Sequence, residues 1–356
     1  MTEAEAMRHA LDLAWRGWGR VHPNPMVGAV VLRGGAAVGE GWHGEFGGPH
    51  AERVALDAAG AGAHGATLVV TLEPCTHQGK QPPCAPAVAD AGIRRVVFAL
   101  ADPDPLAAGG AALLRGRGVE VEQVTRFAAE AAAQNAAFLH GVSVPDRPWV
   151  ALKLATSLDG RIADAAGRSR WLSGPEAREW AHWLRAGFDA IAVGAETARR
   201  DDPALTVRGS THPRREPLRV VFIRETGLPD GLRLFRETAE RAAVVVRVGG
   251  ALPTQAAAGE LTAGDLPAAL RALRGQGVGS LLVEGGGRLA GALLSAGLVD
   301  RLYWVQAPLW LGEGVPAVAG LPAVALDAAE RWQVTERRPL GEDTLLVADR
   351  TCSPAS

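Results

Sequence analysis

Two short stretches of this chain carry residues of the kind that bind metal. His50-Ala51-Glu52 follows Pro49, and Cys75 follows Pro74 with Cys84 nine positions further on. One imidazole and two thiols make three ligands for zinc, and three protein ligands leave the fourth tetrahedral position to water. Such a site is catalytic, whereas a structural site is closed by a fourth protein ligand. Glu52 then remains as an acid/base beside the ion. Residues two apart inside a helix point to opposite sides, so the spacing of His50 and Glu52 requires the helix to begin at this motif. Pro49 ahead of it fits such a start. Cys84, followed by Ala85-Pro86 and an apolar run to Gly92, reads as the first turn of a second helix, whose end dipole favours the thiolate that zinc needs. Two helix ends are thus expected to converge on one ion.

H-x-E followed by P-C is the pattern of zinc nucleobase deaminases. In that chemistry the metal lowers the pKa of a water toward about 7, and Glu52 carries its proton to the leaving amine, yielding a carbonyl and ammonia. The interval between the cysteines, 76–83, is longer than the two residues of the short form of the pattern, and it holds His77 and Lys80. A cation at the mouth of such a pocket suits a substrate bearing a phosphate; the alternative is a solvated lysine. Arginine is abundant here, yet there are only two lysines, Lys80 and Lys153, and two asparagines, Asn24 and Asn135. A surviving lysine marks either a place needing a compact ammonium or chance. Asn24, between two prolines at a strand entrance, is either a turn former or a donor and acceptor for a pyrimidine edge. His43 is either a polar loop residue or a substrate contact close to the metal.

The elements that must position these residues can be read from periodicity. Apolar spacing predicts a helix over 3–18, then strands over 26–32 and 36–41 leading to the zinc helix. The continuous apolar run 67–72 is a buried strand delivering Glu73-Pro74-Cys75 at its end, and 94–100 is another after the Cys84 helix. A helix near 109–116, a strand over 119–124 and an alanine-rich helix over 127–140 complete a first domain, 1–145. Alternation of strand and helix makes it an α/β/α sandwich with the site at strand ends. Pro145 to Pro148 mark the boundary to a second domain, 146–350. There, strands are expected at 149–155, 190–193, 218–223, 242–248 and 280–283, with helices over 176–186 and 289–296. The last strand runs into Glu284-Gly285-Gly286-Gly287. Strand, glycines and helix can hold a pyrophosphate on backbone N–H groups, or form a plain tight turn; this turn is not the G-x-G-x-x-G fingerprint.

With 356 residues, 47% hydrophobic and 21% charged, the composition is that of a soluble globular protein of about two domains. A net charge of -2 argues against a nucleic-acid partner, which requires clustered Lys and Arg. Cys75, Cys84 and Cys352 give no disulfide framework. With no signal peptide and no 18-residue apolar run, a cytoplasmic protein without a membrane partner is expected.

His50-Ala51-Glu52, the long interval from Pro74-Cys75 to Cys84, Lys153-Leu154-Ala155-Thr156-Ser157-Leu158-Asp159-Gly160 and Asp201-Asp202-Pro203-Ala204-Leu205-Thr206-Val207-Arg208 occur together. In these motifs, over about residues 3 to 349, the chain resembles the family of bifunctional riboflavin-biosynthesis deaminase/reductases. The resemblance implies a cytidine-deaminase-like domain followed by a dihydrofolate-reductase-like α/β domain. It also implies two reactions. One is zinc-dependent deamination of 2,5-diamino-6-(5-phosphoribosylamino)pyrimidin-4-one; the other is reduction of the product's ribose to a ribityl chain by NADPH. Its partners would be phosphoribosylaminopyrimidines, with a homo-oligomer, dimer or higher, expected. Carried over by position, His50, Cys75 and Cys84 look like the zinc ligands and Glu52 like the proton shuttle. Asn24, His43, His77 and Lys80 look like contacts to the deaminase substrate. Ala155, Trp171, Thr197, Asp201 and the turn Gly286, Gly287, Arg288, Leu289, Ala290, Gly291 and Ala292 look like the NADPH site. Ser169, Arg185, Leu205, Arg208 and Glu284 look like the site of the phosphoribosyl substrate, with Arg185 and Arg208 able to fork onto a phosphate. Lys153 and Asp159 are expected where the opened sugar is held.

The chain departs from the family pattern at two places. Ile223-Arg224 stands where Asp-Ser is common, which gives Arg224 to the cofactor's 2′-phosphate. Asp104 stands where Asn is usual, a substitution a turn tolerates. The competing reading is a nucleic-acid or nucleotide deaminase with a non-catalytic second domain. It would need basic or aromatic surface around the zinc mouth, and the first domain offers little Lys or Arg.

Overall fold

The computed structural model describes residues 1–224, 227–229, 231–236, 243–249 and 259–351. Cys352 and Ala242 lie outside the described residues. The chain divides into two compact units, Met1–Val144 and Pro145–Ser356.

The first unit runs α1 (Glu3–Ala14), β1 (Gly28–Arg33), β2 (Ala36–Trp42), α2 (Ala51–Ala59), β3 (Thr67–Leu72), α3 (Cys84–Asp90), β4 (Arg95–Leu100), α4 (Gly110–Gly116), β5 (Glu120–Gln123), α5 (Ala128–Gln134) and α6 (Ala136–Ser143). Its sheet has the order β2-β1-β3-β4-β5, antiparallel at β1 and parallel from β3 onward. Period-two alternation gives the sheet two apolar faces. Ala29, Val31, Leu68, Val70 and Val96 pack against Ala51 and Ala55 of α2, Val88 of α3 and Leu114 of α4. Val30, Val69 and Val97 pack against Met7 and Ala10 of α1 and Ala131 of α5. This is the three-layer α/β/α arrangement. Gly39 and Gly41 let β2 lie directly on α2, since a Cβ there would stand 2.2 Å from Ala55 O and 2.4 Å from Ala51 O.

One expected element is corrected. The helix over 127–140 is two helices, broken at Asn135. The Asn135 amide accepts from Met26 N at 2.7 Å and donates to Met26 O at 3.0 Å. A buried backbone pair at the approach to β1 is thereby satisfied, which outweighs helix continuity.

The second unit runs β6 (Trp149–Thr156), β7 (Arg161–Asp164), α7 (Pro175–Ala186), β8 (Ala190–Gly194), α8 (Ala195–Asp201), β9 (Leu218–Ile223), α9 (Arg233–Arg236), β10 (Val244–Val248), β11 (Glu260–Ala263), α10 (Leu266–Gly275), β12 (Ser280–Glu284), α11 (Gly287–Ser295), β13 (Arg301–Gln306), β14 (Gly314–Pro316), β15 (Trp332–Leu340) and β16 (Asp343–Arg350). The main sheet has nine strands in the order β11-β10-β9-β8-β12-β6-β13-β16-β15. From β11 to β13 all neighbours are parallel, and β16 and β15 close the sheet antiparallel. Val150, Leu152, Val220, Leu281 and Val283 form its main core with Leu270 and Leu273 of α10 and Leu293 of α11. Parallel strands buried on both faces read as continuous apolar runs, which is why β6, β8, β9 and β12 were legible in advance.

Candidate active sites

In the first unit, β3 ends at Leu72 and the chain turns at once into Glu73-Pro74-Cys75. His50 is the N-cap residue of α2, extended at φ -74° and ψ 160°, and makes no side-chain cap hydrogen bond. Its ring therefore stands clear of its own helix. Cys84 is the first residue of α3, and Ala85 N donates to Cys75 O at 3.0 Å, tying the two thiol-bearing turns together. His50 Nδ1, Cys75 Sγ and Cys84 Sγ all lie within 4.8 Å of one another. The two N···S separations are 3.5 Å to Cys75 and 3.3 Å to Cys84. A tetrahedral zinc with Zn–S of about 2.3 Å and Zn–N of about 2.0 Å requires about 3.5 Å between such ligands, so the donor set fits that ion.

Glu52 is 4% exposed. Burial, with the Cys75 sulfur adding to it and His50 opposing, raises its carboxyl to about 7. Hydrogen bonding from Cys84 pulls Cys75 down to about 4, while the same contact pushes Cys84 up. His43 is buried, and its Nδ1 lies 2.9 Å from Pro49 O while Nε2 lies 3.3 Å from Asn24 Nδ2. A carbonyl can only accept, so Nδ1 carries the proton and Nε2 accepts from Asn24. Burial lowers the His43 pKa, in keeping with a neutral ring. The His43 ring meets His50 edge to face at 5.4 Å. Asn24 and His43 are thus brought to the wall of the metal-ligand cluster. Lys80 lies over the Phe46 ring at 4.1 Å, and Gln81 Nε2 donates to Gly47 O at 2.8 Å, which latches the long loop to the segment ahead of α2. His77 is exposed on that loop.

Glu73 was not singled out from the sequence. It is buried, accepts from Ala111 N at 2.8 Å and Asp102 N at 3.3 Å, and so clamps the start of α4 behind the Cys75 turn. Its signal was available: a charged residue directly after a buried, mostly apolar strand has to be paired to be buried. Asp104 Oδ1 accepts from Leu106 N at 3.0 Å, the side-chain turn that Asn would also make.

In the second unit a cavity of 1530 Å³ lies among elements that end at β6, β8, β9 and β12. It is lined by Lys153 and Ala155 of β6, Ser169 and Trp171 of the loop after β7, Arg185 of α7, and Thr197 and Asp201 of α8. Leu205, Arg208, Arg224, Glu284, Gly286, Gly287, Arg288, Leu289 and Ala292 line it as well. Trp171 is 73% exposed with the Arg178 guanidinium 4.7 Å over its ring. Gly286 caps α11 at φ 84° without a side-chain bond, and a Cβ on Gly287 would meet Pro316 O at 2.3 Å. Gly285 to Leu289, the turn and first residues of α11, line the cavity, an arrangement suited to a pyrophosphate.

Three expected contacts lie elsewhere. Asp159 does not line the cavity; its carboxylate accepts from Ser157 Oγ at 2.6 Å, Leu311 N at 3.2 Å and Gly312 N at 2.8 Å, closing a turn. Ala290 is fully buried in the core, and Gly291 packs where a Cβ would stand 1.9 Å from Ala319 O. A helix shows only one face to a cavity, so Gly287 to Ala292 cannot all reach it. Arg185 is present but committed: Nε and Nη2 each meet the Glu284 carboxylate at 2.7 Å, and Nη1 donates to Thr206 O at 3.0 Å. In this structure its fork meets a carboxylate, itself one of the expected substrate contacts. Burial raises the Glu284 pKa, but Arg185 and Lys153 outweigh it and hold the carboxyl at about 2. Lys153 pairs in register with Glu284 on β12, and burial lowers its pKa against the pull of that carboxylate.

Comparison with known proteins places both units. Residues 1–100 match the model of the cytidine and deoxycytidylate deaminase zinc-binding region, and residues 148–346 match the RibD C-terminal domain. The chain is 39% identical to the riboflavin biosynthesis protein RibD of Escherichia coli (strain K12), over 97% of this chain and 99% of the relative. It is 37% identical to that of Aquifex aeolicus (strain VF5), over 97% of each. A diaminohydroxyphosphoribosylaminopyrimidine deaminase/5-amino-6-(5-phosphoribosylamino)uracil reductase from Thermotoga maritima superposes with a TM-score of 0.84 at 33% identity, covering 98% of this chain and 99% of that one. Acinetobacter baumannii RibD superposes with a TM-score of 0.82 at 35% identity, with 98% and 99% covered. The chain belongs to the RibD family, the bifunctional enzymes of riboflavin biosynthesis that join a zinc-dependent deaminase to an NADPH-dependent reductase.

Proposed function

We propose that the first unit deaminates 2,5-diamino-6-(5-phosphoribosylamino)pyrimidin-4-one and that the second reduces the ribosyl group of 5-amino-6-(5-phosphoribosylamino)uracil to ribityl. The observation that carries the first half is the convergence of His50 Nδ1, Cys75 Sγ and Cys84 Sγ within 4.8 Å beside the buried Glu52. In this reading those three residues hold the zinc. Zinc bound there supplies a Lewis acid that brings the pKa of a water to about 7. Glu52 takes up the proton that the water loses and delivers it to the departing amine, so ammonia leaves as a neutral molecule. Asn24, oriented by its bond to His43, offers the rest of its amide to the pyrimidine edge, and Lys80 offers an ammonium to the phosphate.

In the second unit the Gly285-Gly286-Gly287 turn and the open end of α11 hold the cofactor's pyrophosphate. NADPH supplies a hydride to a sugar carbon. Lys153, with a pKa lowered by burial, gives a proton to the sugar oxygen, and Glu284 holds the ammonium in place. Arg224, exposed at the end of β9, is assigned to the adenosine 2′-phosphate.

The test is a two-substrate assay on the whole chain together with metal analysis. About one zinc per chain is expected, with ammonia released from the diaminopyrimidine and NADPH consumed only on the deaminated product. Glu52→Gln should keep the zinc and lose deamination by orders of magnitude, about 10² to 10⁴ for a proton-transfer group. A Glu52→Gln protein of normal deaminase activity overturns the assignment.

A further inference from the structure

A lysine on an exposed loop ordinarily has a mobile head, because its ammonium sits at the end of a flexible four-carbon stem. Lys80 is exposed on such a loop, 76–83, yet its ammonium rests 4.1 Å over the Phe46 ring. The seat is built from the segment 44–49 that leads into His50. Phe46 N donates to Arg20 O at 3.1 Å and Gly48 N to Glu45 O at 2.9 Å, which shapes the turn presenting the ring. Gly47, at φ 86°, leaves room for the lysine stem, since a Cβ there would stand 3.3 Å from Lys80 Cδ. Gln81 Nε2 ties the loop to the same glycine through Gly47 O at 2.8 Å. Glu45, the acid beside Phe46, is paired with Arg20 at 2.7 Å.

A carboxylate would hold the ammonium by neutralising it, whereas a ring face attracts the cation and leaves its charge and N–H donors to an incoming anion. We infer that Phe46 is a positioning residue of the deaminase, whose ring fixes where the Lys80 ammonium meets the phosphate of the substrate. The inference rests on the phosphate reading of Lys80. Both sides of the contact are tied to metal-ligating residues: Lys80 lies between Cys75 and Cys84, and Phe46 stands four residues before His50. The ring therefore holds the ammonium in a constant relation to the metal-ligand cluster, so that a phosphate on Lys80 brings the pyrimidine to the cluster in one pose. A head already seated also has less freedom left to lose when the phosphate arrives, which tightens binding without any new contact.

The experiment uses the whole zinc-loaded chain and compares two deaminase substrates, the phosphorylated diaminopyrimidine and its dephosphorylated nucleoside. Phe46→Leu, which keeps an apolar side chain without a π face, should lower kcat/KM on the phosphorylated substrate about two- to fivefold, chiefly through KM. The nucleoside should change by less than about 1.5-fold, and Phe46→Tyr, which restores a ring, should return the phosphorylated substrate to within about 1.5-fold of wild type. In a Lys80→Met background the Phe46→Leu loss should vanish, because the ring acts through the ammonium. Zinc content should hold at about one per chain in every variant. Should the leucine variant fail to fold, a trifluorinated phenylalanine at position 46 weakens the negative face of the ring with little change of shape and should reproduce the loss. Wild-type kinetics in the leucine or fluorinated protein, equal losses on both substrates, or a loss that persists in the Lys80→Met background overturn the inference. A Lys80→Met protein that keeps its preference for the phosphorylated substrate overturns the phosphate reading of Lys80 itself.

Discussion

Glu284 shows how one carboxylate organises a site. Its folded pKa of about 2 lies below the unfolded value of about 4.3, so its ionisation adds stability above pH 4.3, and that stability drains as pH falls through 2. Glu284→Gln leaves the Arg185 guanidinium half-buried without its partner. The expected cost is about 3 kcal/mol at pH 7, the low end for a broken buried pair because both groups keep some solvent contact. Urea unfolding of the two proteins at several pH values should show that gap narrowing between about pH 4 and 2; a gap independent of pH would contradict the ionised pair. Arg224 is the second residue whose effect is open to measurement. A guanidinium on a 2′-phosphate is worth roughly 1.5 to 3 kcal/mol, or about ten- to a hundredfold in affinity. Arg224→Ser should lower the ratio of kcat/KM for NADPH over NADH by that factor and leave deamination unchanged. An unaltered ratio would mean that Arg224 does not meet the adenosine end.

At the scale of elements, the metal ligands depend on turns that other elements press into place. The Cys75 turn is held from behind by the loop leading into α4, where Thr76 N donates to Ala107 O at 2.9 Å and Thr76 Oγ1 to Ala108 O at 2.9 Å. Gly110 at the start of α4 makes that approach possible, since a Cβ there would stand 1.8 Å from Pro74 O. Helix propensity alone would favour alanine at this position by about 0.5 to 1 kcal/mol. The clash is with backbone and wins, so Gly110→Ala should destabilise the first unit by about 1 to 3 kcal/mol. It should also speed zinc loss to a chelator, measured by thermal unfolding and by timed metal release. A stabilised variant with unchanged release would show that the turn and α4 are independent. The loop 102–108 could not be foreseen as the support of Cys75, because nothing local in Asp102 to Ala108 records what lies against it.

At the scale of the whole molecule, the two reactions fall to two units, each with its own apolar core. No helix among the described residues is long and apolar enough to cross a membrane. Cores that do not share residues should fold separately. A polypeptide ending at Val144 is therefore expected to bind zinc and release ammonia, and one starting at Pro145 to bind NADPH. Metal content and cofactor titration of the two pieces check this; two insoluble pieces would show that the units need each other. The family and both catalysed reactions were legible in advance, and the relatives that match both halves bear out that reading over the nucleic-acid alternative.

What the sequence determined by itself is whatever depends on local pattern. The apolar run 67–72 is β3 residue for residue, His50 caps α2 and Cys84 opens α3, because strand burial and helix starts leave their marks in neighbouring residues. The same holds for the strand, glycine turn and helix that end β12. Tertiary structure alone decided the rest. Asn135 breaks a helix that its alanine-rich surroundings would continue, since its amide answers Met26 from 109 positions away. Arg185 meets Glu284, 99 positions distant, with its fork. Asp159 closes a turn with Leu311 and Gly312 rather than facing the cavity. β15, polar and largely exposed, is a strand through its pairing with β16. Periodicity records which side of an element is buried, but the partner that satisfies a buried polar group is set by packing between distant segments, and no local pattern carries that information.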